Sequence, residues 1–520
     1  MKMRISMGLL GALVVASALD PAWSAPRDDK GGVLRSLATR VGYVLGTAAS
    51  CPNIAQSRVK SVADKFVDVV KTSAASETES ATILASFKAS LAEGTKDLAD
   101  KKTDCAAANR DLANLESVSA PQSNAAPQAA VSFPPSVGVF AAQTVSLVRG
   151  VSDNEIRFGA SLPFSGPNKD YGYQIRVGIE TAFKKVNDEG GVHGRMLRLI
   201  AADDGYEPAR TAETMKQLYE TEQVFGFIGN FGTATAAVAA PYALERRALF
   251  YAGYSGASVL RRDPPDRYVF NYRASYAEET ETVVRYLVKV KRLKPDQIAV
   301  FMQQDGFGEA GYAGVTKAMR ALRGGDGGAI LKMTYPRNSL DVEPAINLLK
   351  TSKTPIKAVV MVATYRAAAK FIEKSREAVP GLIYTNISAV GPIALRDELM
   401  LLGPKYAAGV IVTEVVPAVE GYSSLILEYK AALSKYFRGE TPDYVSLEYY
   451  VAAQIMIEAL RRAGPQLDAE KLVEAFENMR DFDLGLGTPI SFSRSDHQGS
   501  HKVWGTVLGE SGKYEPFDME

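Results

Sequence analysis

Cysteine and histidine are scarce in this chain of 520 residues, which contains 2 Cys and 3 His. Three histidines leave few ways to build a zinc site or an enzyme that moves protons through imidazole. Both cysteines, Cys51 and Cys105, lie in the first 105 residues. The rest of the chain therefore has no thiol nucleophile, no thiolate metal ligand and no disulfide.

Net charge is nearly absent as well, because 60 Lys and Arg residues balance 59 Asp and Glu residues. A chain without a basic field has little means of collecting phosphates, so we expect no nucleic-acid partner. Apolar residues make up 46% of the sequence and charged residues 23%, an ordinary composition for a soluble globular protein. At roughly 100–200 residues per domain, the length allows about three compact units.

Residues 1–24 have the features of a cleavable secretory signal. Two basic residues stand in the first four positions, residues 5–19 carry no charge, and Ala22–Ser24 offers small residues for cleavage, with Ala16–Ala18 as a second candidate. The alternative is an uncleaved membrane anchor, but the apolar run is shorter than the ~20 residues that a span needs. We therefore expect an exported protein of the periplasm.

Residues 30–116 are predicted to be a helical domain. Five residues recur at intervals of seven, which places them on one face of a helix or helix pair: Leu84, Leu91, Leu98, Cys105 and Leu112. An interruption is expected near Gly94. In an oxidising compartment, a disulfide between Cys51 and Cys105 is favoured over two buried free thiols. The segment has no polar constellation that indicates chemistry, so we interpret it as a small bundle or a self-association element.

Residues 117–152 carry one charge, Arg149, and are rich in Ala, Ser, Gln and Pro, which is typical of a linker. From residue 153 to residue 520, apolar strands alternate with amphipathic helices, among them strands at 156–161 and 329–335 and helices at 311–322 and 365–378. This alternation predicts an α/β fold of parallel sheets with right-handed crossovers. The segment is too long for one such sheet, so we expect two lobes. Ligands in this architecture bind beyond the carboxyl ends of the strands, and the loops there are the place to look for function.

Two of those loops carry a small hydroxyl residue at a predicted helix start, Thr233 in one and Ser255 in the other. A helix start has unpaired N–H groups and a partial positive charge, which attract an anion. Two such starts converging on one point would make a carboxylate cradle without Lys or Arg. The alternative interpretation is that both residues are ordinary helix caps.

Aromatic residues also cluster just beyond the predicted strand ends: Tyr171, Tyr206, Tyr254, Tyr276, Phe307 and Tyr365. Such rings can stack on a ligand while tyrosine hydroxyls bond to it, although each one singly could be an ordinary surface tyrosine. Asp203 and Asp204 form a possible acid–base pair, but a strand-end Asp often fixes a turn. The Gly253–Gly256 loop lacks the spacing of a serine-hydrolase elbow, and no His lies near it. We expect no enzyme and no cofactor.

Residues 154–515 resemble the type I periplasmic solute-binding proteins of branched-chain amino acid (Leu/Ile/Val) ABC transporters. Six motifs in order carry the resemblance: Leu162-Pro163-Phe164-Ser165-Gly166-Pro167 with Tyr171-Gly172, Asn187-x-x-Gly190-Gly191-Val192-His193-Gly194-Arg195, Asp203-Asp204-Gly205-Tyr206-Glu207-Pro208, Ile228-Gly229-x-x-Gly232-Thr233-Ala234-Thr235, Asp305-Gly306-Phe307-Gly308, and Pro489-Ile490-Ser491-Phe492 with Asp496-His497-Gln498-Gly499. No single motif is decisive, but their order over most of the chain is specific. The helical domain and the linker lie outside it.

The resemblance implies two lobes joined by three crossovers, closing on a ligand by hinge motion and docking on an ABC permease of the inner membrane. It places lobe 1 at about 153–275 with 417–486, and lobe 2 at about 276–416 with 487–520. It implies a small-molecule carboxylate ligand held in the cleft. By the resemblance, the ligand-binding residues are Tyr171, Thr233, Tyr254, Ser255, Gly256, Phe307, Thr364, Tyr365 and Ser388.

Two positions depart from the family pattern. The acid that binds the ammonium group in amino-acid-specific members falls on Ser388, and a hydroxyl position of the carboxylate loop falls on Gly256, with Ser255 next to it. We therefore expect a small organic acid rather than a branched-chain amino acid, and the tyrosines favour an aromatic one. A ligand-sensing receptor for a signalling partner is the alternative function, and the extra helical domain favours it slightly. An exported enzyme is the third.

Overall fold

The computed structural model describes residues 30–73, 76–100, 105, 108–109, 112, 148–325 and 327–519. The chain divides into two compact units, Met1–Ala142 and Gln143–Glu520. The expected signal segment, residues 1–24, and residues 117–147 of the expected linker lie outside the described residues. Within the described ranges, no helix is both long enough and apolar enough to cross a bilayer.

The amino-terminal unit is helical, as predicted. Its helices are α1 (Lys30–Ala49), α2 (Gln56–Ser73) and α3 (Glu77–Ala99), and α1 packs along α3. The residues spaced by seven share one side: Leu112 is buried, and Leu84, Leu91, Leu98 and Cys105 pack against the same apolar core. This spacing therefore marks the face that holds the unit together.

The interruption expected near Gly94 is absent, because α3 runs through that residue without a break. A Cβ atom on Gly94 would overlap the carbonyl oxygen of Tyr43 in α1, and one on Gly46 would overlap the carbonyl oxygen of Leu91 in α3. Glycine at these positions lets the two helix backbones touch. Its role here is close packing and not helix termination.

Cys51 and Cys105 form the predicted disulfide, with their Cα atoms 5.6 Å apart. Cys51 follows the end of α1 and is 1% exposed within the core of this unit. The bond closes a loop with a sequence separation of 54 residues. It therefore restricts the unfolded chain over the segment that contains α2 and α3.

The first sheet of the carboxy-terminal unit has five parallel strands in the order β2-β1-β3-β4-β5. Its strands are β1 (Glu155–Leu162), β2 (Met196–Asp203), β3 (Gly226–Ile228), β4 (Phe250–Tyr251) and β5 (Val269–Phe270). The helices between them are α4 (Lys169–Asp188), α5 (Pro208–Lys216) and α6 (Thr233–Glu245). Residues 148–152, at the end of the expected linker, already bond to this lobe, since Val151 pairs with Ile156.

The second sheet has seven strands in the order β12-β11-β10-β9-β8-β6-β7. They are β6 (Ile298–Gln303), β7 (Lys332–Tyr335), β8 (Ala358–Val362), β9 (Ile383–Asn386), β10 (Val410–Glu414), β11 (Trp504–Leu508) and β12 (Tyr514–Phe517). Its helices are α7 (Tyr276–Lys289), α8 (Gly306–Arg323), α9 (Glu343–Lys350), α10 (Tyr365–Ala378), α11 (Pro392–Leu402) and α12 (Pro404–Ala407). The strands β6 and β8 are buried at every residue, as expected of strands covered on both faces.

The two sheets repeat one topology, because β7-β6-β8-β9-β10 copies the order β2-β1-β3-β4-β5. Among the strands described here, the antiparallel pairs are β10–β11 and β11–β12. The predicted α/β class with parallel sheets is confirmed. In each lobe the strand order reverses at the first strand, and the crevice at this switch point opens at the carboxyl ends of the strands.

The chain passes between the lobes three times. After β10 it returns to the first lobe as α13 (Ser424–Tyr436), α14 (Tyr444–Ala463) and α15 (Ala469–Glu477), with α14 packed on α4, and then re-enters the second sheet at β11. The three crossing segments bond to one another: the Tyr272 hydroxyl donates to the carbonyl of Val415 at 2.8 Å, and the Ser500 amide donates to the carbonyl of Tyr272 at 3.0 Å. They form the connection about which the lobes can move.

Candidate functional site

The first component of the cleft is a pair of hydroxyl groups at the carboxyl ends of β3 and β4. Thr233 is the first residue of α6, and its Oγ1 lies 2.7 Å from the Oγ of Ser255. Both residues are buried. Gly232, which precedes the helix with a φ of 91°, makes the sharp turn that brings Thr233 to this position. The two loops singled out from the sequence therefore meet.

Neither hydroxyl is a conventional helix cap. Thr233 follows the capping position, where no side-chain bond is made, and Ser255 accepts the amide of Ala257 at 3.2 Å within a turn. The expected second helix start is also wrong, because the chain after Ser255 forms only a 3₁₀ turn, Ser258–Leu260. The cradle in the first lobe therefore combines one helix start, that of α6, with two hydroxyls and the backbone of the Tyr254–Gly256 loop.

The second lobe presents two helix starts to the same cleft. Phe307 lies in the first turn of α8, and a Cβ atom on the preceding Gly306 would lie 3.6 Å from the Thr233 methyl carbon. Tyr365 begins α10, directly after Thr364 at the capping position. The start of α8 thus faces the start of α6 across the cleft, and two partial positive charges lie on opposite walls.

Aromatic rings from both lobes fill the middle of the cleft. The ring of Tyr171 lies 4.8 Å from that of Phe231, 5.5 Å from Tyr254 and 5.3 Å from Tyr365. On the side of Ser255 and Gly256, the ring of Tyr276 lies 5.2 Å from that of Phe307. These separations are those of favourable aromatic pairs. Tyr171, Tyr254 and Tyr365 therefore form one cluster, which Tyr206 joins through Phe231, and Tyr276 forms a separate pair with Phe307.

Tyrosine hydroxyls connect the lobes directly. The Tyr171 hydroxyl lies 2.5 Å from the carbonyl oxygen of Val390 and accepts the amide of Tyr365 at 3.2 Å. The Tyr254 hydroxyl donates to the carbonyl of Ser388 at 3.3 Å. Burial raises the pKa of Tyr171 and of Tyr254, so both remain neutral donors at physiological pH.

Polar contacts also join the lobes at the rim of the cleft. The Asn338 amide nitrogen of the second lobe donates to Glu207 at 2.6 Å and to the carbonyl of Gly205 at 3.2 Å, while Arg337 pairs with Glu207 at 3.1 Å. The Tyr365 hydroxyl lies 2.6 Å from Asp170. The structure is thus that of lobes in contact along the whole cleft.

At the hinge end of the cleft lies a charged residue that the sequence reading did not single out. Arg273 is 1% exposed, and its Nε and Nη2 bond to the two oxygens of Glu448 at 2.9 and 3.0 Å. Nη2 also donates to the Ser388 hydroxyl at 3.0 Å, and the guanidinium carbon lies 4.4 Å from the centre of the Tyr254 ring. The signal that the sequence offers is a basic residue in the short segment, residues 271–275, between β5 and α7.

Ser388, where the family's acid was expected to fall, is occupied by this network. The Ser388 hydroxyl donates to Glu279 at 3.1 Å, and the Ser388 amide donates to the same carboxylate at 2.8 Å. The Thr413 hydroxyl also donates to Glu279, at 2.5 Å. Burial raises the pKa of Glu279 and of Glu448, although Arg273 opposes the rise in both. Burial acts to lower the pKa of Arg273, but Glu448 together with Tyr254, Tyr276 and Glu279 raises it well above its usual value, so the guanidinium stays charged.

Two further predicted site residues, Thr364 and Gly256, have packing or hydrogen-bond partners in the cleft, and the Asp203–Asp204 pair has a structural role. The Tyr335 hydroxyl accepts a hydrogen bond from the Thr364 amide at 3.0 Å. Gly256 packs against Tyr276. Asp203 accepts the amides of Phe164 and Ser165 at 2.8 and 3.1 Å. Asp204 accepts from Ser161 at 2.7 Å and from Thr211 at 3.0 Å. Both aspartates fix the turn after β2.

Among the described residues, no group of three or more His, Cys, Asp or Glu side chains is placed to hold a metal.

Comparison with known proteins identifies the class. A profile of the periplasmic binding protein family matches residues 155–513. A crystal structure of a possible leucine/isoleucine/valine-binding protein from Rhodopirellula baltica is 35% identical, with a TM-score of 0.67, and covers 71% of this chain and 97% of that one. An amino acid binding protein of Pseudomonas aeruginosa is 25% identical over 385 residues, 72% of this chain and 96% of its own length. A branched-chain amino acid ABC transporter structure from Thermus thermophilus with bound valine shares the fold, at 20% identity and a TM-score of 0.62.

Two lobes of one topology, three crossings and a polar, aromatic cleft at the strand switch points define a two-lobed solute-binding protein. The chain belongs to the periplasmic binding protein family, in its branched-chain amino acid (Leu/Ile/Val) group. The members of this family are solute-binding proteins and not enzymes, and its characterised homologues are periplasmic. The amino-terminal helical unit lies outside the matched residues.

Proposed function

We propose that the protein is the substrate-binding component of an ABC importer and captures a small carboxylate-bearing solute, an amino acid or an organic acid. The observation that carries this proposal is the Thr233–Ser255 hydroxyl pair at the start of α6, 2.7 Å apart and facing the start of α8. Hydroxyl and amide donors at a helix start suit an anionic oxygen, and they are already oriented.

The roles of the site residues follow from their positions. Thr233 and Ser255 donate hydroxyl hydrogen bonds to the carboxylate, while the Tyr254–Gly256 backbone forms the wall beside it. Tyr171, Phe307 and Tyr365 pack against the body of the ligand, with Thr364 and Ser388 on the side of the second lobe. The relatives support the carboxylate class, since one is described with bound valine and another as an amino acid binding protein.

Binding acts through the hinge. A ligand that touches both lobes favours their contact, which the Tyr171 and Tyr254 hydroxyls and the Asn338–Glu207 bond also support. The closed form is then the one that an inner-membrane permease recognises. We also propose that residues 1–24 direct export to the periplasm, and amino-terminal sequencing of the mature protein tests this part directly.

A thermal-shift screen of the full mature chain tests the function. Amino acids, aromatic acids and dicarboxylates are compared with their neutral amides or alcohols. A true ligand at about 100 times its Kd stabilises the protein by about 2.7 kcal/mol. We expect at least one acid to raise the melting temperature while its neutral counterpart does not. If neutral compounds stabilise the protein and acids do not, the carboxylate site is wrong.

A ligand-sensing receptor is the second candidate. The observation that favours it is the separate, disulfide-linked helical unit, which a solute carrier does not require. The genes beside this one distinguish the two functions. Permease and ATPase genes support transport, whereas a gene for a sensor kinase supports signalling.

A further inference from the structure

The hinge end of the cleft contains a buried hydrogen-bond donor that no atom of the described residues satisfies. Arg273 uses Nε and Nη2 on Glu448 and Ser388, and its Nη1 is buried with no hydrogen-bond partner in the part of the chain that the structure describes. An arginine has five N–H donors and cannot lose its charge in a protein. A buried, charged donor left unpaired is unfavourable, so this nitrogen is suited to an acceptor brought by another molecule.

The position of this nitrogen points to the ligand site. The guanidinium carbon of Arg273 lies 4.4 Å from the centre of the Tyr254 ring and 5.9 Å from that of Tyr276. Tyr254 belongs to the loop beside the Thr233–Ser255 pair, and Tyr276 packs on Gly256 of the same loop and on Phe307. Arg273 therefore lies against the rings that form the wall of the site, at the end where Ser388 closes it.

The acceptors around Arg273 are already used by protein donors. Both oxygens of Glu448 accept from Arg273, and both oxygens of Glu279 accept from Ser388 or Thr413. Each oxygen of these two carboxylates thus already holds a protein donor, whereas Nη1 of Arg273 has no acceptor among the described residues. An ammonium group there would meet the guanidinium with no carboxylate oxygen left unbonded.

We propose that Arg273 determines ligand specificity by donating a hydrogen bond to an oxygen of the ligand. The preferred ligand is then an organic acid that has an oxygen acceptor at the position where an amino acid carries its ammonium group. This inference rests on the proposed function, because it assumes that the ligand carboxylate lies at Thr233 and Ser255. It adds which group stands at the other end of the site. Keto acids and hydroxy acids have that chemistry, whereas α-amino acids do not.

Matched pairs of compounds test the proposal by titration calorimetry with the full mature chain. The pairs share a carbon skeleton: valine and α-ketoisovalerate, phenylalanine and phenylpyruvate, glutamate and α-ketoglutarate. In any pair that binds, we expect the keto acid to bind at least about tenfold more tightly, or about 1.4 kcal/mol. The double variant Arg273→Gln/Glu448→Gln, which leaves no unpaired buried carboxylate, should bring this ratio close to one.

The ratio of the two affinities in a pair distinguishes ligand recognition from a structural role of Arg273. A general loss of folding or lobe closure would weaken the binding of both compounds alike. The control variant Arg285→Gln/Glu281→Gln removes an exposed ion pair on α7, at 3.0 Å, and should leave the ratio unchanged. An amino acid that binds as tightly as its keto acid overturns the assignment of Arg273, but not the proposed function. A ratio that survives in the double variant also overturns it, and a wild-type protein that binds no acid overturns both. If the double variant does not fold, the wild-type affinity ratio and the variant Arg273→Lys decide the question. Lysine keeps the positive charge but not the planar guanidinium with its paired donors.

Discussion

At the scale of single residues, Tyr171 connects several parts of the cleft. Its ring contacts Phe231, Tyr254 and Tyr365, and its hydroxyl lies between the Val390 carbonyl and the Tyr365 amide. The sequence placed it at the strand end, but could not show that its hydroxyl bonds to backbone groups more than 190 residues away. Its influence on ligand affinity therefore depends on lobe contact as well as on ligand packing.

Replacing Tyr171 by Phe tests this role. The ring stays, but a carbonyl and an amide of the second lobe lose their partner when the lobes meet, which costs about 1–2 kcal/mol. We expect the affinity for the acid found in the screen to fall about tenfold, measured by calorimetry. Tyr422→Phe, at a tyrosine that is 86% exposed, is the matched control. Equal affinities for the two variants would show that the Tyr171 hydroxyl does not support closure.

A second residue-scale prediction concerns pH. The hydrogen bond from His501 to Glu278, at 2.6 Å, raises the pKa of His501 to about 8, and a bond to Asp496 at 3.1 Å adds to it. Partial burial acts to raise the pKa of Glu278, but hydrogen bonds from His501 and Ser275 lower it to about 2. The pKa of His501 is higher in the folded chain than in the unfolded chain. The stability that its ion pairs contribute is therefore complete below about pH 6.5 and is lost as the pH rises through about 8.

The variant His501→Asn should therefore lose stability at pH 6 and little at pH 9. The shift corresponds to about 2 kcal/mol, and we expect about half of that, because the side chain is 56% exposed and screened by solvent. Urea unfolding across this pH range measures it. His193→Asn, whose ring contacts the carbonyl of Arg461 instead, is the control. A His501 effect that grows as the pH rises would contradict the assignment.

At the scale of elements, sequence patterns located most of the strands and helices in the first two-thirds of the binding unit. The expected strand at 156–161 is β1, Glu155–Leu162, and the helix at 365–378 is α10, Tyr365–Ala378. The helix expected at 311–322 begins earlier, at Gly306, because Asp305 caps it by accepting the Phe307 amide. Such short-range caps decide element ends, which periodicity alone does not.

The strand expected at 329–335 is shorter in the structure than the sequence pattern predicts. The structure has a strand only at Lys332–Tyr335, since Gly327 and Gly328 have φ values of 81° and 72° and keep the chain turning. Ser255 was similarly expected to start a helix and starts only a short turn. In both places a local backbone conformation overrides an apolar or polar pattern that favours a regular element.

The packing of α1 on α3 gives an element-scale prediction. Gly94→Val places a branched side chain against the Tyr43 backbone, and we expect a loss of about 1–3 kcal/mol in the stability of the amino-terminal unit. Hydrogen exchange of α1 and α3, measured in the full chain, localises the effect. Ala92→Val, on the exposed side of the same helix, should cost less than about 0.7 kcal/mol. Similar costs for the two variants would mean that the close helix contact adds nothing.

At the scale of the whole molecule, the class of fold and the position of the cleft could be predicted from the sequence, whereas the hinge network could not. Alternating strands and helices require parallel sheets, and loops after the strands must then lie at one edge. Arg273, however, lies in the first crossing, and it meets Glu448 of α14 and Ser388 after β9 only because the two lobes come together there. No local pattern links residues 175 positions apart, so the charge in the cleft appears only in three dimensions.

The most direct test of the account is the affinity of the wild-type protein and of Thr233→Val for the acid identified in the screen. Valine keeps the shape of threonine but removes the hydroxyl that lies 2.7 Å from Ser255. Because a hydrogen bond to a charged group contributes about 1.5–3 kcal/mol, calorimetry should show one site in the wild-type chain and at least tenfold weaker binding in the variant. Thr441→Val, at an exposed loop position, should bind as the wild type does. Undiminished binding by Thr233→Val would contradict the claim that this helix start holds the ligand carboxylate.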